Sequence, residues 1–145
     1  ILRSDAESKR LKFVFDVDKA LNIKVLGDRY RLNQILTNLI SNAIKFTQQG
    51  EIRVKVKEAA RKGSKIMLEF IISDTGIGIP SDKFESLFES FTQLENPYVK
   101  QYMGTGLGLS IVKRLIDMMK GEISVTSEED KGSEFTVRLD FKLVK

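Results

Sequence analysis

The chain has 145 residues, 41% of them hydrophobic and 30% charged, with 24 Lys and Arg against 20 Asp and Glu for a formal charge of +4. That length suits one hydrophobic core and is short for two ordinary domains. With no Cys and no His, the chain has no disulfide framework, no Cys/His zinc site, no Cys or His nucleophile, and no histidine of its own to serve as acid, base or phosphate acceptor.

In chain order, a polar leader gives way to alternation at Leu11, Phe13 and Phe15, which predicts a strand with those three side chains on one face. A shorter apolar pair, Ile23 and Val25, follows. From Asp28 the apolar residues Leu32, Ile35, Leu36, Leu39, Ile40 and Ala43 recur at three and four, predicting an amphipathic helix over 28–48, with Asp28 as its N-cap and Gly50 as its stop. Period two returns in Ile52, Val54 and Val56 and again in Ile66, Leu68, Phe70 and Ile72, a hairpin turning at Gly63. A short helix is expected from Ser81 to about Glu89, and a third from Leu107 to Met119 ended by Gly121. The chain closes on a second hairpin, Ile123 to Ser127 and Phe135 to Phe141. Strands grouped with one-sided helices predict an α+β two-layer sandwich, a mostly antiparallel mixed sheet covered on one face by three helices.

No run of about 18 uncharged apolar residues occurs, so no membrane-spanning segment is predicted, and a reducing, cytoplasmic setting is expected. The first residue is Ile1 rather than Met, which suggests a piece of a longer protein. The basic residues are interleaved with acids, and the densest basic stretch, Arg61 to Lys65, reads as a solvated hairpin tip, so no nucleic-acid partner is expected.

Three clusters look chemical. On the long helix Asn38, Asn42 and Lys45 share one side, four and three residues apart. Asn is a poor interior helix residue, and a solvated face with two ordinary amides competes with a magnesium and phosphate site, for which an amide oxygen is a suitable hard ligand and Lys a suitable point charge. The second cluster is Asp74-Thr75-Gly76-Ile77-Gly78-Ile79-Pro80 at a strand end. Its acid can accept a hydrogen bond from an exocyclic amine while its glycines let backbone approach a flat ligand, or it is simply a Gly-containing turn. The third, Gly104-Thr105-Gly106-Leu107-Gly108-Leu109-Ser110, bares backbone N–H groups at a helix start, as anion binding requires, and it lacks the lysine of a Walker A loop.

In this order and spacing the clusters resemble the ATP-binding catalytic domain of sensor histidine kinases, most closely the hybrid type, within the group that includes gyrase, a heat-shock chaperone and the mismatch-repair ATPase MutL. Asn38 to Thr47 is similar to the N box, Asp74 to Gly78 to the first glycine box, Phe84, Phe88 and Phe91 to the F box, Gly104 to Gly108 to the second glycine box, and Gly132-Ser133-Glu134-Phe135 to the closing motif. The resemblance covers residues 9–143. It implies a Bergerat-type fold over 9–145, a linker end at 1–8 leading from a missing dimerisation domain, and a lid at about 92–103.

By the same resemblance, Asp74 accepts the adenine amino hydrogen, Asn42 binds Mg²⁺, and Asn38 and Lys45 face the phosphates of ATP. Gly76 and Gly78 flank the base, Gly104, Thr105, Gly106, Leu107 and Gly108 hold the phosphates, and Lys100 is the basic lid residue. Tyr102-Met103-Gly104 departs from the family's usual doubled glycine. Relatives that hydrolyse ATP carry Glu where Asn38 stands, and Asn cannot take a proton from water. The implied function is donation of the γ-phosphoryl group to a histidine on a dimerisation domain of the parent chain, serving a response-regulator receiver domain indirectly, the isolated piece being monomeric. A nucleotide-sensing or docking module without transfer, and a serine-directed kinase of the same fold, are the alternatives.

Overall fold

The two periodicities resolve into six strands and two helices over the residues that a computed structural model describes, 10–17, 25–78, 108–128 and 130–143. They are β1 (Lys12–Val17), β2 (Val25–Leu26), α1 (Arg29–Phe46), β3 (Glu51–Lys62), β4 (Lys65–Asp74), α2 (Gly108–Met118), β5 (Glu122–Glu128) and β6 (Gly132–Leu143). The short helix expected at 81–89 and the segments 1–8 and 92–103 lie outside the described residues.

The strands form one mixed sheet in the order β1-β3-β4-β6, with β5 and β2 both on the far edge of β6. The registers show how two strands share an edge: β5 pairs with β6 from Gly132 to Arg138, and β2 meets it at Lys142 and Leu143. β1 runs parallel to β3, and the other pairings are antiparallel. A register shift between Glu58 and Ala60 bulges β3 before the hairpin tip.

Side chains alternate across a strand, so Ile52, Val54, Ile66, Leu68, Phe70 and Ile72 share one face with Phe135, Val137, Leu139 and Phe141, and all are buried. Onto that face α1 brings Ile35, Leu39, Ile40, Ala43 and Ile44, and α2 brings Leu109, Val112 and Ile116, making one cluster. The opposite face is polar. Its central row holds Glu69 between Arg138 (2.7 Å) and Lys57 (3.4 Å), an arrangement that keeps the Glu69 carboxyl below its ordinary value, chiefly through the Arg138 hydrogen bond.

One exposure is set by the sheet edge, and two local expectations need correction. Phe15 is 54% exposed: it sits on the helix-covered face opposite Val54, but β1 is the outermost strand and α1 packs over the strands further in. Helix α1 ends at Phe46 with Thr47 as C-cap, three residues before Gly50, and the Thr47 hydroxyl donates back to the Ala43 carbonyl at 2.8 Å. Helix α2 turns off at Lys120, which takes the left-handed conformation (φ 58°), while the Gly121 N–H returns to the Ile116 carbonyl at 2.9 Å. Gly121 is needed for close approach instead, since a Cβ there would lie 2.4 Å from Leu139 and 2.5 Å from the Arg138 carbonyl oxygen.

Candidate functional site

Strand β4 ends on an acid. Asp74 is 8% exposed, in a row of the sheet that pairs it with Ile52 of β3 and Ser133 of β6. Its Oδ1 accepts the Gly76 N–H at 2.9 Å and its Oδ2 accepts the Ser133 hydroxyl at 3.1 Å. The fully buried Thr47 hydroxyl is a further partner; with one proton, it serves either Asp74 or the Ala43 carbonyl at a given moment. Burial pushes the Asp74 carboxyl above its ordinary value, and the hydrogen bonds from Gly76, Ser133 and Thr47 oppose that push. A carboxylate has about four lone-pair positions; the Gly76 N–H and the Ser133 N–H and hydroxyl engage three and fix its orientation, and the fourth is open to a ligand while the Thr47 hydroxyl donates to the Ala43 carbonyl.

The surroundings hold the acid from both sides. Thr75 Oγ1 accepts the Glu51 N–H at 3.0 Å, and the Asp130 N–H donates to the Ile77 carbonyl at 2.7 Å, so the turn after β4 is tied to the start of β3 and to the β5–β6 turn. Gly132 makes the second approach possible: at φ 117° it is in glycine's own region, and a Cβ would stand 1.9 Å from the Asp74 carbonyl oxygen. A cavity of about 360 Å³ opens here, lined by Asp74, Thr126, Ser127, Ser133 and Glu134 among others. Gly76 is half-buried, and Gly78 is buried at φ 74°.

Helix α1 supplies the other predicted residues. Asn38 and Asn42 are half-buried at the margin of the stripe made by Leu39 and Ala43, and Lys45 is exposed. Thr47 connects this helix to Asp74. Lys45 is two residues from it and Asn42 five, which at 1.5 Å per residue places Asn42 about 7.5 Å back along the axis and Asn38 about 13.5 Å. The N-cap works as expected, Asp28 Oδ1 accepting the Arg31 N–H at 3.0 Å. Gly108 opens α2. Lys100, Gly104, Thr105, Gly106 and Leu107 lie outside the described residues.

Sequence reasoning singled out Asp74 but gave no role to Thr47 or Ser133. Both sit inside motifs it quoted, yet the contact between Asp74 and Ser133 spans 59 positions and depends on a strand register that no local pattern fixes.

Residues 27–143 match the family model described as "Histidine kinase-, DNA gyrase B-, and HSP90-like ATPase". The chain belongs to this family. Among curated proteins it is 43% identical over 143 residues to the autoinducer 2 sensor kinase/phosphatase LuxQ of Vibrio parahaemolyticus, covering 98% of this chain and 17% of LuxQ. It is 38% identical to the signal transduction histidine-protein kinase BarA of Escherichia coli K12, covering 99% of this chain and 16% of BarA. The chain thus spans about one sixth of the length of these relatives. Among solved structures, full-length ShkA in complex with AMPPNP superposes with a TM-score of 0.77 at 33% identity, over 99% of this chain and 30% of ShkA. The nucleotide-free catalytic domain of the histidine kinase ThkA gives 0.73 at 28% identity, over 96% and 86%. The domain therefore carries the ATP-binding fold found in sensor histidine kinases, in the α+β form expected from its sequence.

Proposed function

We propose that this domain binds Mg-ATP and donates the γ-phosphoryl group to a histidine on a separate dimerisation domain of its parent chain, in the cytoplasm, with a response-regulator receiver domain as the later recipient. The observation that carries the reading is the buried, oriented carboxylate of Asp74 at the end of β4, in a chain of this family that has no histidine of its own. A purine with a 6-amino group offers a donor to that acid, whereas a 6-oxo group would turn an acceptor toward it.

The donor set on α1 suits magnesium. An ion held by Asn42 would take one amide oxygen from the protein and its other ligands from phosphate and water, a pattern usual for Mg²⁺. When bound, it neutralises charge on the β- and γ-phosphates. Asn38 and Lys45 face the phosphates in this reading, and the segment from Gly104 to Gly108 presents backbone N–H groups to them. Lys100 adds a cation from the lid at 92–103. Because Asn38 takes no proton, water is left unactivated and the nucleotide is retained for the acceptor.

The test is to incubate the domain with γ-labelled ATP and a purified dimerisation domain. Label on the acceptor that is lost in acid and stable in alkali supports transfer to histidine. Acid-stable label points to serine, and nucleotide binding with no label at all points to a sensing module.

A further inference from the structure

The open face of the sheet carries two rows of charge that follow opposite rules. In the central row Lys57, Glu69, Arg138 and Glu122 stand opposite one another on β3, β4, β6 and β5, with signs alternating. Toward the hairpin tip the same strands set Lys62 opposite Lys65 and Lys65 opposite Lys142. Neighbouring strands lie about 4.8 Å apart, and like charges directly opposite destabilise a sheet. A fourth lysine arrives from elsewhere: Lys120 ends α2 in the left-handed conformation (φ 58°), a position that favours Gly or Asn. Two locally unfavourable placements thus bring lysines to one end of the molecule.

The place where they converge is concave. Lys65, Lys120 and Lys142 line a cavity of about 480 Å³ together with Ser64, Asp140 and Phe141. Among the described residues none of Lys62, Lys65, Lys120 and Lys142 forms an ion pair, while Lys57, Lys113 and Lys131 each do. Three lysines against one aspartate leave the lining net positive, and the volume is that of small-ligand sites.

We propose that this cavity binds a small multivalent oxyanion, with Lys65, Lys120 and Lys142 as its cationic contacts, Ser64 as a hydroxyl donor and Lys62 reinforcing the field. The site is separate from the nucleotide reading. Lys65 and Asp74 are the two ends of the ten-residue β4, about 30 Å apart at some 3.4 Å per residue, so an anion bound at one end touches nothing at the other.

The experiment is an amide-resolved NMR titration of the magnesium-free domain with inorganic pyrophosphate, with citrate as the carboxylate arm. Saturable shifts at 62–65, 120 and 141–143 with either anion support the site and name its class. The companion variant is Lys65→Glu, which converts the row to alternating sign. It should raise the thermal midpoint by about 1–3 °C and weaken anion binding at this end at least about tenfold, leaving any shifts near Asp74 in place. Shifts confined to the Asp74 end, affinity at this end changed less than about twofold, or a lowered midpoint would each overturn the proposal.

Discussion

Replacing Asp74 by Asn separates what the acid does for the fold from what it does for a ligand. The amide oxygen can still accept the Gly76 N–H, now 2.9 Å from Oδ1, and the new amide group faces the Ser133 hydroxyl, which can rotate to accept. The side chain keeps its shape and loses its charge. Burial raises the folded-state carboxyl above its ordinary value, so its contribution to stability is fullest below the ordinary Asp range and declines as pH rises through the folded value. At neutral pH the ionised form is therefore a cost, and Asp74→Asn should melt at the same temperature as the parent or higher, an advantage that shrinks in acid. The nucleotide should respond in the opposite sense. A hydrogen bond to a charged group is worth about 1.5–3 kcal/mol, which corresponds to a loss of about 10- to 150-fold in affinity. Calorimetry with ATP on the folded variant, beside melts at pH 5 and pH 7, measures both. Unchanged ATP affinity would remove Asp74 from the base site, and a large loss of stability at neutral pH would contradict the account of its burial.

Other substitutions probe the neighbours. Asn42→Ala should weaken ATP binding mainly in the presence of magnesium and leave adenosine affinity within about twofold, read by calorimetry with and without the metal; equal losses for both ligands would make Asn42 structural. Gly132→Ala places a Cβ against the Asp74 carbonyl in the left-handed region, and strain plus overpacking of about 2–5 kcal/mol should show in denaturant unfolding, together with weaker nucleotide binding. Glu69→Gln removes the acid between Lys57 and Arg138; both cations can return to water, so the cost should be only about 1 kcal/mol at neutral pH. Because Arg138 lowers the Glu69 carboxyl, its contribution is present above the ordinary Glu range and lost as pH falls through the folded value. Melts of parent and variant should then converge in strong acid.

Periodicity made most of the fold legible. The stripe from Ile35 to Ala43 is buried as α1, and the alternation from Phe135 to Phe141 is buried along β6, because a 3.6 or a 2.0 repeat maps directly onto one face. The order of strands was not legible in the same way. Two strands share the outer edge of β6, an arrangement set by where β5 stops pairing and β2 begins. Helix ends were misread where a residue other than glycine did the work: Thr47 through its hydroxyl and Lys120 through its backbone conformation. Within the site, Asp74 was visible through company: an acid and two glycines at a strand end are ordinary turn punctuation until the clusters at Asn38–Lys45 and Gly104–Gly108 stand beside them in order. Ser133 and Thr47 were not, since a buried hydroxyl has no pattern until the strands that surround it are placed.

The central claim is that the domain holds ATP for another acceptor and spares it from water, and phosphate release from the isolated domain tests it most directly. With saturating Mg-ATP and no acceptor, the parent should release phosphate at close to the background rate. Asn38→Glu, which installs a carboxylate one helical turn before Asn42, should release it at least about tenfold faster, since a positioned general base contributes about 10²- to 10⁴-fold when fully aligned. A parent domain that releases phosphate as fast as the Asn38→Glu variant would contradict the claim.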